Sequence, residues 1–192
     1  MIDYKNKFVF VHIPRTGGTS IESILFKDSL YKRSHHTLKQ YYRQIQNKGM
    51  NPLDFYSFSI VRNPFDKLVS EYKWFCGEHK NIFPNKIVRK FYKGMSFKDF
   101  FYNFNFNKKG DRYHKMLQSS ILSGDRVDYI GRFENLQSDF DSICKRINKP
   151  LVRLPNIYKT QECNYKDFYT KSIQRDVEIF FKKDLIQFNY IY

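Results

Sequence analysis

Cysteine is scarce in this chain. There are three in 192 residues, Cys76, Cys144 and Cys163, far apart and with no Cys-x-x-Cys spacing. An odd, scattered set argues against a disulfide framework and gives no support for a zinc site, so free thiols in a reducing compartment are expected. No apolar run reaches the length of about 18 residues needed to cross a bilayer. The N-terminus passes from Asp3-Tyr4-Lys5 straight into a short apolar stretch, without the basic-then-apolar pattern of a leader. A soluble, cytoplasmic chain without a membrane segment is expected. Internal repeats and linker-like stretches are also absent, which predicts one domain over residues 1–192, a length that a single core supports. Aromatics are plentiful, with 20 Phe and 15 Tyr, and apolar residues are spread over the whole length, which excludes general disorder.

Acidic residues are outnumbered 34 to 19 by Lys and Arg, giving a formal charge of +15. Such a field draws anions without saying which. The basic residues are scattered (Lys5, Lys7, Lys27, Lys32, Arg33 and onward), which fits a solvated basic surface as well as steering of an anionic ligand. A nucleic-acid binder would need basic and aromatic residues clustered on one face or a known module. Neither is visible, and no specific nucleic-acid partner is expected.

Apolar, β-branched patterning predicts buried strands at Phe8–Ile13 and Phe55–Val61 and a short one at Val127–Gly131. Helices are expected from Thr19 to about Lys27, Pro64 to Phe75, Asp111 to Ile121, Glu134 to Ile147 and Ser172 to about Phe188. Thr19 and Ser20 are candidate caps of the first helix, and Pro64 suits the first turn of the second. A further helix is expected before Gly49 and Pro52. Strand, turn and helix recurring three times predict an α/β fold with a central, mainly parallel sheet flanked by helices. Ligands of such sheets bind at the carboxyl ends of the strands.

Two turns fall at that end. The first, Pro14-Arg15-Thr16-Gly17-Gly18-Thr19-Ser20, combines glycines that let the backbone approach a ligand, a helix N-terminus that favours phosphate or sulfate, hydroxyl donors and a permanently charged arginine. It lacks the Gly-Lys-Ser/Thr of the Walker loop, and no GxGxxG is present. The second turn begins at Arg62, whose fork suits a phosphate.

In this order the motifs resemble the sulfotransferases that use 3′-phosphoadenosine 5′-phosphosulfate (PAPS), in particular the carbohydrate sulfotransferase branch. "FVFVHIPRTGGTS" (8–20) is similar to that family's 5′-phosphosulfate loop, usually written PKTGGTS. "FSIVRNPFDKLVSEY" (58–72) resembles its 3′-phosphate element, which implies Arg62 and Ser70 as ligands. "DYIGRFENL" (128–136), Leu154-Pro155 with Lys159-Thr160, and the closing "DLIQFNYIY" follow the family's order, so the resemblance spans nearly the whole chain. It implies a P-loop-like three-layer fold. The implied donor-binding residues are Arg15, Thr16, Gly17, Gly18, Thr19, Ser20 and Arg62 with Ser70, and also Arg132 and Lys159. The co-substrate would be PAPS, the product 3′-phosphoadenosine 5′-phosphate (PAP), and no metal is implied. The acceptor would be a hydroxyl on a saccharide or similar small molecule.

Sulfuryl transfer, like phosphoryl transfer, relies on in-line positioning and charge neutralisation. Arg15 and the Gly17–Ser20 amides point to the leaving phosphate. The family typically has lysine where Arg15 stands, and arginine stabilises charge without releasing a proton. "SHHTLKQY" (34–41) resembles a His-x-Thr element of relatives, which makes His35 the expected general base, with His36 as the alternative. Glu22 and Glu71 are candidates to orient it. Tyr158 stands where the family has asparagine before Lys159. Phe133, Trp74 and Tyr72 could stack on adenine or belong to the core. A catalytically silent nucleotide-binding relative and a polyanion-binding protein remain as alternative readings. The acceptor's identity and the oligomeric state are not written in these motifs.

Overall fold

The computed structural model describes residues 1–27, 35–77, 90–106, 112–124, 126–157 and 163–192. Its elements run β1 (Ile2–Asp3), β2 (Phe8–Val11), α1 (Gly18–Leu25), α2 (Leu38–Gln46), β3 (Tyr56–Val61), α3 (Pro64–Cys76), α4 (Phe97–Phe106), α5 (Arg112–Lys115), α6 (Gln118–Ile121), β4 (Tyr129–Arg132), α7 (Leu136–Arg146), α8 (Lys171–Phe180) and α9 (Lys182–Gln187). Two compact units form, each from two stretches: Met1–Arg62 with Gln118–Ile157, and Asn63–Leu117 with Tyr158–Tyr192.

The first unit holds the sheet, in the order β1-β2-β3-β4. β2, β3 and β4 run parallel, with Phe10 opposite Phe58 and Val61 opposite Arg132, while β1 is an antiparallel edge. The expected α/β fold with a mainly parallel sheet is therefore what forms. On one face Phe8, Phe10, Phe58 and Ile60 pack with Ile21 of α1 and with Phe140, Ile143 and Cys144 of α7. Phe10 and Phe58 stack at 5.2 Å. Burial of each such side chain contributes about 1.5–3 kcal/mol, enough to fix which residues of β2 face the helices.

β4 starts two residues later than the pattern predicted. Asp128 is taken out of the ladder because its carboxylate accepts from both the amide and the hydroxyl of Ser57, each at 2.8 Å. The start of α1 also differs from expectation. Gly17, not Thr19 or Ser20, is its N-cap, with φ 79° and no side-chain cap, so the two hydroxyl residues lie inside the first turn. α2 is capped by a reciprocal Thr37/Gln40 box.

The second unit is helical and aromatic. Phe65, Phe75, Tyr92, Phe100, Phe101 and Phe104 are buried together with Ile173 and Val177. The expected 111–121 helix is two short ones, and the expected C-terminal helix breaks at Phe181, which caps α8 by pairing its amide with the Val177 and Ile179 carbonyls. Lys67 and Glu71 are buried in this unit, and Lys67 and the half-buried His114 both contact Glu71, at 3.0 and 2.7 Å.

Candidate functional site

The carboxyl ends of β2, β3 and β4 carry Arg15, Arg62 and Arg132. Adjacent parallel strands bring these turns together, as the α/β pattern implies. After β2 the chain turns through Arg15, held at φ 64°, and Gly17 at φ 79°. The Thr16 side chain is fully buried and its hydroxyl donates to the Ile13 carbonyl at 2.8 Å. Thr16 thus braces the turn from within. The Ser20 amide folds back on the Gly17 carbonyl at 3.0 Å, leaving the amides of Gly18 and Thr19 without helical acceptors at the positive end of α1. The buried Ser20 hydroxyl accepts from the Ile157 amide at 3.4 Å.

Arg62 ties the second turn to the first. Its guanidinium donates to the Arg15 carbonyl at 3.0 Å and lies over the Phe133 ring at 3.9 Å. Its backbone is clamped on both sides by Gln118, whose side-chain oxygen accepts from the Arg62 amide at 2.9 Å and whose NH₂ donates to the Arg62 carbonyl at 2.8 Å. Arg132 closes β4 with its amide donating to Asp139 at 2.6 Å. Phe133, an adenine candidate in the sequence, is here the platform for Arg62.

A polar cluster that sequence patterning missed sits beside the glycine turn. His12 follows the last residue of β2 and is buried, and so is Glu22 of α1. The Glu22 carboxylate accepts from His12 Nδ1 at 2.7 Å. The His12 ring stacks on Phe10, centroids 5.6 Å apart, and meets the His35 ring edge to face at 4.6 Å. His35 Nδ1 donates to the His12 carbonyl at 3.2 Å. A carbonyl can only accept, so this bond puts the proton of a neutral His35 on Nδ1 and its lone pair on Nε2. His36 is turned elsewhere, onto Tyr41 of α2 at 5.3 Å. Glu22 thus reaches His35 through His12. The signal available in the sequence was one histidine in the apolar run "FVFVHIP", ten residues before a glutamate in the first helix.

Other expected residues belong to the second unit. Ser70 is buried on α3 in the second unit. Glu71 belongs to the Lys67/His114 cluster of that unit. Tyr72 packs with Phe97 and Phe100 and donates its hydroxyl to the Met95 carbonyl at 3.0 Å, and Trp74 borders the same aromatic core. Tyr158 and Lys159 lie outside the described residues. Among the described residues there is no group of three metal-ligating side chains, and no helix is long and apolar enough to cross a membrane.

These features define an α/β protein with a glycine turn and three arginines at the ends of its parallel strands. Residues 1–190 match the model of the sulfotransferase family, and the chain belongs to that family. It is therefore a sulfotransferase of the type that draws its sulfuryl group from PAPS. No curated protein and no solved structure matches the chain.

Proposed function

We propose that the chain transfers a sulfuryl group from PAPS to a hydroxyl of a saccharide, with His35 as general base. The observation that carries this reading is the His35 Nδ1 bond to the His12 carbonyl, which puts the lone pair of a neutral ring on Nε2, on the residue where the family motif asks for a base. The saccharide class rests on the motif order of the carbohydrate branch.

The turn suits a doubly anionic donor: open amides at the start of α1, Arg15, and Arg62 bonded to the same loop. When bound, the donor supplies a sulfuryl group already activated by its phosphate. Arg15 and the amides of Gly17, Gly18 and Thr19 hold the 5′-phosphosulfate end, with Ser20 beside them in the first turn and Thr16 shaping it. Arg62 takes the 3′-phosphate, and Ser70, Arg132 and Lys159 are donor ligands by motif. Arg15 neutralises charge on the leaving side without giving up a proton. Nε2 of His35 removes the acceptor's hydroxyl proton, an effect worth about 10²–10⁴-fold in rate.

The test is calorimetric titration with PAP on the full chain and on Arg62→Ala, followed by transfer of labelled sulfate to a panel of oligosaccharides. Micromolar PAP binding lost in Arg62→Ala, with transfer abolished by His35→Ala and kept by His36→Ala, is the expected result. Failure to bind PAP would overturn the donor assignment. Binding without transfer to any saccharide would overturn the acceptor class and leave a nucleotide-binding protein in which Arg15 does not sustain turnover.

A further inference from the structure

We propose that His12, clamped by Glu22, is a positioning residue that sets the ring orientation and tautomer of His35, an inference that rests on His35 being the base. A histidine and a glutamate are costly inside a core unless they pair, and apolar residues of similar size would fill the same space without that cost. Phe8, Val9, Phe10, Val11 and Ile13, around His12 in the chain, are all fully buried and apolar. The exception is the residue that touches His35 twice.

The clamp leaves His12 little freedom. Glu22 fixes Nδ1, Phe10 lies flat against the ring, and the opposite edge lies against Gly18, where an added Cβ would sit 2.2 Å from Nε2. A ring so held makes its edge-to-face contact with His35, at 4.6 Å, and keeps that ring against the His12 main-chain carbonyl. The carbonyl selects the Nδ1–H tautomer and the ring contact limits rotation about the His35 side-chain bonds. Through Gly18 the same ring seats the first turn of α1, so the base and the anion-binding turn are referenced to one buried side chain. Misplacement of a reacting group by about 1 Å can cost about 10²-fold in rate.

The inference is tested on the full chain labelled with ¹⁵N-histidine, with the His35 and His12 rings among the five assigned through His35→Ala and His12→Asn. Long-range ¹H–¹⁵N spectra report the tautomer directly, without donor or acceptor. The wild type and Glu22→Gln, whose amide oxygen still accepts from Nδ1, are expected to show His35 protonated on Nδ1. Glu22→Ala and His12→Asn keep the His12 main-chain carbonyl but loosen or lose the ring contact that holds His35 against it, and are expected to show mixed tautomers. The Asn amide nitrogen can still reach Glu22, which keeps a foldable variant in the set. Where transfer is measurable, Glu22→Ala should slow the wild type strongly and His35→Ala hardly further, because groups acting as one unit are not additive. An unchanged His35 tautomer in folded Glu22→Ala and His12→Asn overturns the positioning role. A wild-type His35 protonated on Nε2, or full activity in His35→Ala, overturns the base assignment instead.

Discussion

Gly18 offers the sharpest test of the packing around the glycine turn. It opens α1 with helical backbone, so Gly18→Ala would ordinarily stabilise the helix by about 0.5–1 kcal/mol. Here the new Cβ would fall 2.1 Å from His12 Cδ2 and 2.2 Å from Nε2. Ordinary contact begins near 3.4 Å, and the ring cannot swing aside while Glu22 holds Nδ1 at 2.7 Å and Phe10 stacks on its face. Overpacking of this kind costs about 1–3 kcal/mol. With the Cβ more than 1 Å inside ordinary contact the upper part of that range applies, about 2–3 kcal/mol, so overpacking wins and the net loss is about 1–2.5 kcal/mol, or roughly 2–10 °C in Tm for a chain of this size. Removing the ring should reverse the sign: in a His12→Ala background, Gly18→Ala should become stabilising by about 0.5–1 kcal/mol. Thermal and urea unfolding of the four proteins in this cycle measures both signs. A stabilising Gly18→Ala in the wild type, or the same effect in both backgrounds, would refute the seating of α1 on His12.

Gly17 should behave differently. At φ 79° any side chain is strained, and its Cβ would meet Leu136 Cδ2 at 2.6 Å, so Gly17→Ala should cost about 1–2 kcal/mol whether or not His12 is present. The thiols predict a pH response. Burial pushes Cys76 from 9.0 up to about 12, so the folded protein binds that proton more tightly than the unfolded chain. Its contribution is complete below pH 9 and is lost as pH rises toward 12, and a Cys76→Ala variant should show a flatter alkaline loss of stability in urea titrations. Exposed Cys163 should react first with a thiol reagent and buried Cys144 only on unfolding.

The order of strands, turns and helices was legible because apolar runs with breakers after them leave few alternatives. Phe8–Val11 and Tyr56–Val61 fall inside the stretches that patterning marked. What patterning missed are interactions between residues distant in sequence. Asp128 withdraws from β4 to serve Ser57, 71 positions away. Phe181 halts the last helix where the amphipathic pattern runs on. The cap of α1 went to Gly17 because the left-handed turn is set by the approach of α1 to His12 and Leu136, which no local preference for Ser or Thr reports. The same limit hid the His12–Glu22 pair. In "FVFVHIP" the run reads as a buried strand, and only the fold shows that its one polar member has a partner and touches His35.

Arg15 is where conformation and chemistry pull apart, and one substitution separates them. A non-glycine residue at φ 64° carries about 1–2 kcal/mol of backbone strain, and here it is held in place by the Arg62 guanidinium on its carbonyl. That bond goes to the backbone, so it survives any change of the Arg15 side chain. Arg15→Gly relieves the strain and gives up about 0.5–1 kcal/mol through the greater freedom of the unfolded chain. Stability should therefore stay level or rise slightly. A charge-assisted contact to an anion is worth about 1.5–3 kcal/mol, so PAPS affinity should fall by roughly 10- to 150-fold at about 1.4 kcal/mol per tenfold. Arg15→Ala should lose the same affinity while keeping the strain, and so be the less stable of the two. Titration and urea unfolding of both variants decide the matter. A clear loss of stability in Arg15→Gly would mean that the side chain itself holds the turn. Unchanged affinity would remove Arg15 from the donor site, and the strain would then need another reason to persist.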